Sequence, residues 1–265
     1  MENVYFHNLL LIGMGVIVGF LSGMFGVGGS SIATPLLRLI DIPRMIALAS
    51  PLPVSFPTAL IGGIVYWRRG LVHTKAVFWT IVGGAPAVVV GAYLTTEIPG
   101  RALMALTGIF VIAVGLRLLL KNFTDATRAA SSLNERTAWS FFVLVGIIIG
   151  IFSGLLGNGG GFLLLPAYML LFRFPPREAA ATSLVAVALL ALPGTFVHYT
   201  LGHIDFKITA LMSLGVIPST YLGAHLGLSL SKDKARLLFG LFLLLFGLFF
   251  LIRTICRAEM YGWLS

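Results

Sequence analysis

Apolar positions in this chain come in long blocks rather than at short periods. Runs bounded by charged or turn residues lie at 44–67, 74–95, 99–120, 177–200, 207–228 and 233–253. Each is near the ~20 residues a helix needs to cross about 30 Å of hydrocarbon, so six membrane-spanning helices are predicted. Two further apolar stretches are interrupted. Gly19–Pro35 reads GFLSGMFGVGGSSIATP and Gly150–Pro166 reads GIFSGLLGNGGGFLLLP. The apolar residues after the first glycines, Ser30 to Ile40, make only about 17 Å of helix at 1.5 Å per residue, too short to cross. Two half-length helices joined by a glycine loop within the membrane are expected. Such a loop is tolerated only where protein or a water-filled cavity covers its backbone.

The two interrupted stretches are copies of one another. At a shift of 131 residues they match at Gly19/Gly150, Ser22/Ser153, Gly23/Gly154, Gly26/Gly157, Gly28/Gly159, Gly29/Gly160 and Pro35/Pro166. At a shift of 132 the pairing continues through Gly62/Gly194, Gly70/Gly202, Lys75/Lys207, Gly83/Gly215, Pro86/Pro218, Gly91/Gly223, Gly108/Gly240 and Gly115/Gly247. A tandem duplication follows, with a first transmembrane repeat at 1–120, a polar linker at 121–137 and a second repeat at 138–265. Each repeat holds three spans plus a glycine-broken hairpin that either re-enters or crosses twice. Both options give an odd number of crossings, so the second repeat starts on the opposite side and the repeats are inverted. The expected fold is an all-α polytopic integral membrane protein.

Composition agrees with that class. Of 265 residues, 58% are hydrophobic and 10% charged, with a mean hydropathy of +1.01, outside the range of soluble domains. The net charge of +9 falls in short loops rather than in a cluster with interleaved aromatics, which argues for membrane topology and against nucleic-acid binding. One set of loops holds Arg68, Arg69, Lys75, Lys121, Arg128, Arg136, Arg173, Arg177, Lys232, Lys234 and Arg236; the other holds Arg38, Arg44, Arg101, Lys207, Arg253 and Arg257. The richer side is expected to be cytoplasmic, with both termini outside. No cleavable signal peptide is expected, since MENVYFHNLL has no basic n-region. Cys256 is the lone cysteine, so neither an intrachain disulfide nor a cysteine metal site is available.

The glycine segments carry the candidate chemistry. Gly26, Gly28 and Gly29 leave backbone amides uncovered just ahead of a helix start, and Ser30 and Ser31 offer hydroxyls there. Amides at a helix N-terminus, with its partial positive charge, suit an anion. Inversion brings Gly157, Asn158, Gly159, Gly160 and Gly161 to the same depth from the other side. Two facing N-termini replace an oxyanion's hydration shell without a costly charged side chain in the bilayer. The alternative is that glycines serve close helix packing; this reading is preferred for the outer pairs Gly19/Gly23 and Gly150/Gly154, and the anion site for the GVGGSS and GNGGG cores.

The twin segments SGMFGVGGSSIATP and SGLLGNGGGFLLLP resemble the duplicated signature SGxxGxGGGxxxxP of the sulfite exporter TauE/SafE family, also called the toluenesulfonate uptake permeases. The resemblance covers nearly the whole chain. It implies transport of small anions, typically sulfite, sulfonates, other sulfur-containing oxyanions or organic acids, across the bacterial cytoplasmic membrane. Two departures add polar groups: Ser30 and Ser31 stand where glycine and an apolar residue are usual, and Asn158 where an apolar residue is common. Asn158 either shapes substrate choice or caps a half-helix.

Ser50, Thr182 and Ser183 fall in the apolar helices after the hairpins, where they line a path or bond back to their own helix. Pro51, Pro53 and Pro57 make a hinge or a kink there. His198 and His225 are candidates for proton coupling, with interfacial anchoring the alternative. Tyr66, Trp67, Trp79, Tyr199 and Trp263 are expected in the aromatic belts. The predicted function is a secondary carrier for a small, sulfur-containing anion, working by alternating access, with an anion channel as the alternative. No enzyme motif, no metal site and no cofactor are expected; lipid, the anion and a candidate second copy of the chain are the partners.

Overall fold

The computed structural model describes residues 2–40, 42–95, 135–157 and 159–262, with seven isolated positions between 109 and 120. Every regular element among them is a helix: α1 (Glu2–Phe25), α2 (Gly29–Leu39), α3 (Arg44–Ala49), α4 (Pro51–Trp67), α5 (Thr74–Leu94), α6 (Glu135–Leu156), α7 (Gly161–Leu170), α8 (Pro176–Thr200), α9 (Phe206–Ser229) and α10 (Lys232–Gly262). Six stretches are long and apolar enough to cross a membrane: Tyr5–Phe25, Met45–Trp67, Thr74–Leu94, Trp139–Leu156, Pro176–Thr200 and Phe206–Ser229. Four coincide with predicted runs. The run at 233–253 lies within the 31-residue α10. The run at 99–120, apart from the isolated positions, and linker residues 121–134 lie outside the described residues.

The other two spans correct the expectation of paired half-length helices. The limb ahead of each glycine turn is full length, 24 residues in α1 and 22 in α6, and only the limb after it is short, 11 residues in α2 and 10 in α7. The small residues Gly15, Gly19 and Gly23 do not break α1, because each faces the backbone of α9. A Cβ on Gly19 would come within 2.6 Å of the Val216 carbonyl oxygen, and one on Gly15 or Gly23 would overlap the carbonyls of Met212 or Thr220. The fit is mutual, with Gly215, Gly223 and Gly227 of α9 against the carbonyls of Ile12, Phe20 and Met24. In the other half, Gly146, Gly150 and Gly154 of α6 meet the carbonyls of Thr80, Gly84 and Val88, and Gly83 and Gly91 of α5 meet those of Val143 and Ile151. The preferred packing role of Gly19, Gly23, Gly150 and Gly154 is what these contacts display.

Contact order along these pairs fixes direction. Residue numbers rise together in α1 against α9 and in α5 against α6, so each pair is parallel. Gly62 and Gly63 of α4 lie against Leu184 and Val185 of α8, whereas Gly194 of α8 lies against Leu52, so α4 and α8 are antiparallel. Tyr66, near the end of α4, reaches the carbonyls of Gly23 and Met24 at the end of α1. Thus α1, α4 and α9 run one way and α5, α6 and α8 the other. Tyr66 is 1% exposed, which removes it from the expected aromatic belt.

Pro51 begins α4 and has no N–H to give, which sets the boundary with α3. At the other end of α4, Leu71 N–H bonds the Tyr66 carbonyl past Gly70 (φ 69), and His203 N–H bonds the His198 carbonyl past Gly202 (φ 70) in the same way after α8.

Gly154→Val and Gly223→Val should each lower the thermal unfolding temperature of the detergent-solubilised protein, with an overpacking cost of about 1–3 kcal/mol or more. Gly13→Ala, where an added Cβ meets nothing within 4 Å, should be neutral or stabilise by up to about 1 kcal/mol. Equal melting temperatures for the two classes would contradict the close-contact account.

Candidate glycine-turn site

Both short helices start from a glycine with a backbone that side chains rarely adopt. Gly28, ahead of α2, has φ 77 and ψ 149, and Gly160, ahead of α7, has φ 77 and ψ −9. These turns point the starts of α2 and α7 at one another in the protein interior. A Cβ on Gly161 would sit 2.6 Å from the Val27 carbonyl carbon, and one on Gly159 would be 3.6 Å from Ser30 Oγ. Val187, midway along α8, lies under Gly28, Gly159 and Gly161. Gly26 packs on Ala180 and Gly157 on Leu48. There is no room for an anion between Val27 and Gly161 in this closed arrangement.

Local sequence explains how the turns are held. The Ser30 N–H donates to Ser55 Oγ of α4 at 2.7 Å, and Ser55 in turn donates to the Pro51 carbonyl. Ser183 Oγ of α8 donates to the Gly161 carbonyl at 3.3 Å. Ser31 Oγ donates back to Val27 at 3.4 Å, and Thr58 Oγ1 lies 2.9 Å from where a Cβ of Gly29 would be. Gly26, Gly28, Gly29, Ser30, Ser31, Gly157, Gly159, Gly160, Gly161 and Ser183 are therefore gathered in one buried region. Asn158 lies outside the described residues.

Three serine hydroxyls among the described residues are buried without a partner. Ser22 Oγ, Ser30 Oγ and Ser153 Oγ are buried with no hydrogen-bond partner, and their residues are 0%, 0% and 1% exposed. Ser153 Oγ lies 3.4 Å from where a Cβ of Gly160 would be. A buried hydroxyl without a partner costs about 1–3 kcal/mol, and Ser30 and Ser153 place two of them at the turns. Ser22 and Ser153 escaped selection in the sequence as site residues, although they match in the repeat; the glycines beside them drew the argument instead.

The remaining candidates stand apart from the turns. Ser50 Oγ accepts from the Asp205 N–H at 2.9 Å, and Thr182 Oγ1 accepts from the His73 N–H at 3.1 Å. These residues are related by the 132 shift, and each ties down the start of a helix in the other half, α9 or α5. His198 is 0% exposed; its Nε2 is 3.4 Å from the Gly154 carbonyl and its Nδ1 3.3 Å from Nδ1 of His203. His198 thus does at the end of α6 what Tyr66 does at the end of α1. His225 is exposed, with Nδ1 2.9 Å from the Tyr221 carbonyl of its own helix. Among the described residues no group of three or more His, Cys, Asp or Glu is placed to hold a metal ion.

Comparison with known proteins adds the family. A family model described as "Sulfite exporter TauE/SafE" matches residues 11–250. The chain is 28% identical to the Bacillus subtilis (strain 168) protein named "Probable membrane transporter protein YunE", over 84% of this chain and 88% of that one. It is 32% identical to a "Probable membrane transporter protein" of Xylella fastidiosa (strain Temecula1), over 93% and 95%. It is 28% identical to the "Probable membrane transporter protein MJ0441" of Methanocaldococcus jannaschii, over 92% and 95%. No solved structure matches the chain.

Ser30→Ala and Ser153→Ala should leave thermal stability unchanged or raise it by about 1 kcal/mol, because each removes an unpartnered buried hydroxyl. Ser55→Ala, which strips the Ser30 N–H of its acceptor, should cost about 1–3 kcal/mol. Melting curves of the purified variants check both; a loss in Ser30→Ala as large as in Ser55→Ala would refute the distinction.

Proposed function

We propose, for a chain that belongs to the sulfite exporter TauE/SafE family, that this membrane transporter carries a small sulfur-containing oxyanion and takes it at the paired glycine turns. The observation that carries this reading is the pair of buried, unpartnered hydroxyls of Ser30 and Ser153 beside the starts of α2 and α7, with Ser22 the repeat partner of Ser153. Hydroxyl donors and the positive ends of two short helices are what a desolvated oxyanion needs. They supply it without a Lys or Arg at that depth, where a lone charge would be expensive in the empty state.

Loading the site requires the turns to part, because Val27 and Gly161 are in contact. The reading is of a closed state in a carrier cycle, in which the turns part and are exposed to each side alternately. Support comes from the opposed running directions of α1 and α4 against α6 and α8, as inverted repeats at 1–120 and 138–265 require. Arg68, Arg69, Lys75, Arg173 and Arg177 belong to the end shared by the close of α4 and the starts of α5 and α8. By the positive-inside rule that end faces the cytoplasm of a bacterial inner membrane, and both chain termini are outside.

His198 is the candidate for proton coupling, since a titratable ring there holds the end of α6 just before the second glycine turn. His198→Tyr copies the group that the first half uses at this place and should fold. In proteoliposomes it should transport with a reduced response to a proton gradient; an unchanged response would leave His198 a helix cap alone.

Purified protein should be stabilised by sulfite or an organosulfonate, by about 2.7 kcal/mol at a hundredfold excess over Kd. Ser30→Ala and Ser153→Ala should lose most of that shift while keeping their own melting temperature. No stabilisation by sulfite, sulfonates or carboxylates would sink the anion reading, and currents far above carrier turnover in a planar bilayer would assign a channel instead.

A further inference from the structure

Arg177 stands in the first turn of α8, just after Pro176. That is the positive end of a helix, where a cation is disfavoured. Its Nη2 donates to the Leu230 carbonyl past the end of α9, yet its Nε is buried and has no partner. The side chain lines a cavity of about 20 Å³, shared with Tyr66, Met24 and Ala180, which is room for one water-sized group. No acidic residue among the described ones lines it. Glu178, next in sequence, turns to His73 instead, with Oε2 2.7 Å from Nε2.

The other polar group in the cavity is already used. Tyr66 OH lies 3.3 Å from both the Gly23 and Met24 carbonyls, so its proton is committed to the end of α1. The free donor is the Arg177 Nε–H. The cavity also adjoins the first glycine turn: Ala180, one helical turn beyond Arg177, is the residue that a Cβ on Gly26 would meet at 2.6 Å. A buried N–H donor on a guanidinium, without a carboxylate and beside a helix N-terminus, calls for an anionic acceptor.

We propose that Arg177 forms a second anion station, which takes one oxygen of the oxyanion at the basic end of the molecule and passes the anion to the Gly26 turn. The station rests on the transport reading above and adds to it a charged residue outside the glycine motif.

The test is uptake of labelled sulfite by the full chain in proteoliposomes, for wild type, Arg177→Gln and Arg177→Lys. Arg177→Gln should raise KM about tenfold with Vmax little changed, the loss of a charged hydrogen bond. Arg177→Lys keeps the charge and loses the Nε donor, and should raise KM less. A wild-type KM in Arg177→Gln, or a fall in Vmax alone, overturns the station while leaving the turns in place. If the glutamine variant does not fold, a wild-type KM in Arg177→Lys overturns it. Protection of Arg177 from phenylglyoxal by sulfite in the unmodified chain needs no variant; labelling at an unchanged rate under saturating sulfite counts against the station. Wild-type protein that takes up no oxyanion at all removes the transport reading, and the station with it.

Discussion

Backbone contact at glycine holds this molecule together. Lipid chains are as apolar as leucine, so helices in a membrane gain nothing from hiding leucine and must gain from close packing. Here α1 meets α9 and α5 meets α6 through glycines on both partners, each glycine facing a carbonyl of the other helix. Each such pair joins an element of one half to an element of the other. The halves are consequently interlocked, and the residues between them, α2, α7 and the glycine turns, are positioned by helices that cannot shift individually.

That rigidity explains how the turns bear an unfavourable polar interior. Gly28 and Gly160 adopt left-handed φ values next to hydroxyls with no partner. Left alone, such a region would rearrange to satisfy them. Ser55 and Ser183 prevent this by holding Ser30 and Gly161 from α4 and α8, and Val187 fills the space under both turns. The related positions differ in a telling way. Ser55 and Val187 are equivalent at the 132 shift, as Ser30 and Gly161 are at 131, so at these two places the first half has a hydroxyl where the second has a valine or a glycine. The duplicated frame therefore has two unlike walls around the turns.

Much of this was legible in the sequence. Run lengths located the spans from 44–67, 74–95, 177–200 and 207–228, because hydropathy reports burial in lipid without any tertiary knowledge. The spaced glycines located the turns. The length of α1 and α6 was misread, since glycine lowers helix propensity in isolation while a partner backbone at Gly19 or Gly154 repays the loss, and only the fold reveals that partner. Ser50 and Thr182 looked like path residues because hydroxyls in apolar helices are ambiguous; their bonds to the Asp205 and His73 amides depend on loops 155 and 109 residues away. Tyr66 read as an interfacial aromatic for the same reason. Ser22 and Ser153 were visible as repeat matches, but a pair of serines acquires meaning only when both are found buried and unpartnered.

The pair Tyr66 and His198 carries the comparison of the halves furthest. Both are buried, both reach the carbonyl of the glycine that closes the preceding full-length helix, Gly23 or Gly154, and both are followed by the same left-handed glycine turn. A phenol has a single hydrogen-bonding oxygen, whereas an imidazole presents a nitrogen on each side of its ring. His198 also faces His203 through two like nitrogens, Nδ1 to Nδ1 at 3.3 Å. The same mechanical task, holding the end of a full-length helix, is therefore done by a phenol at one end of the molecule and by an imidazole at the other.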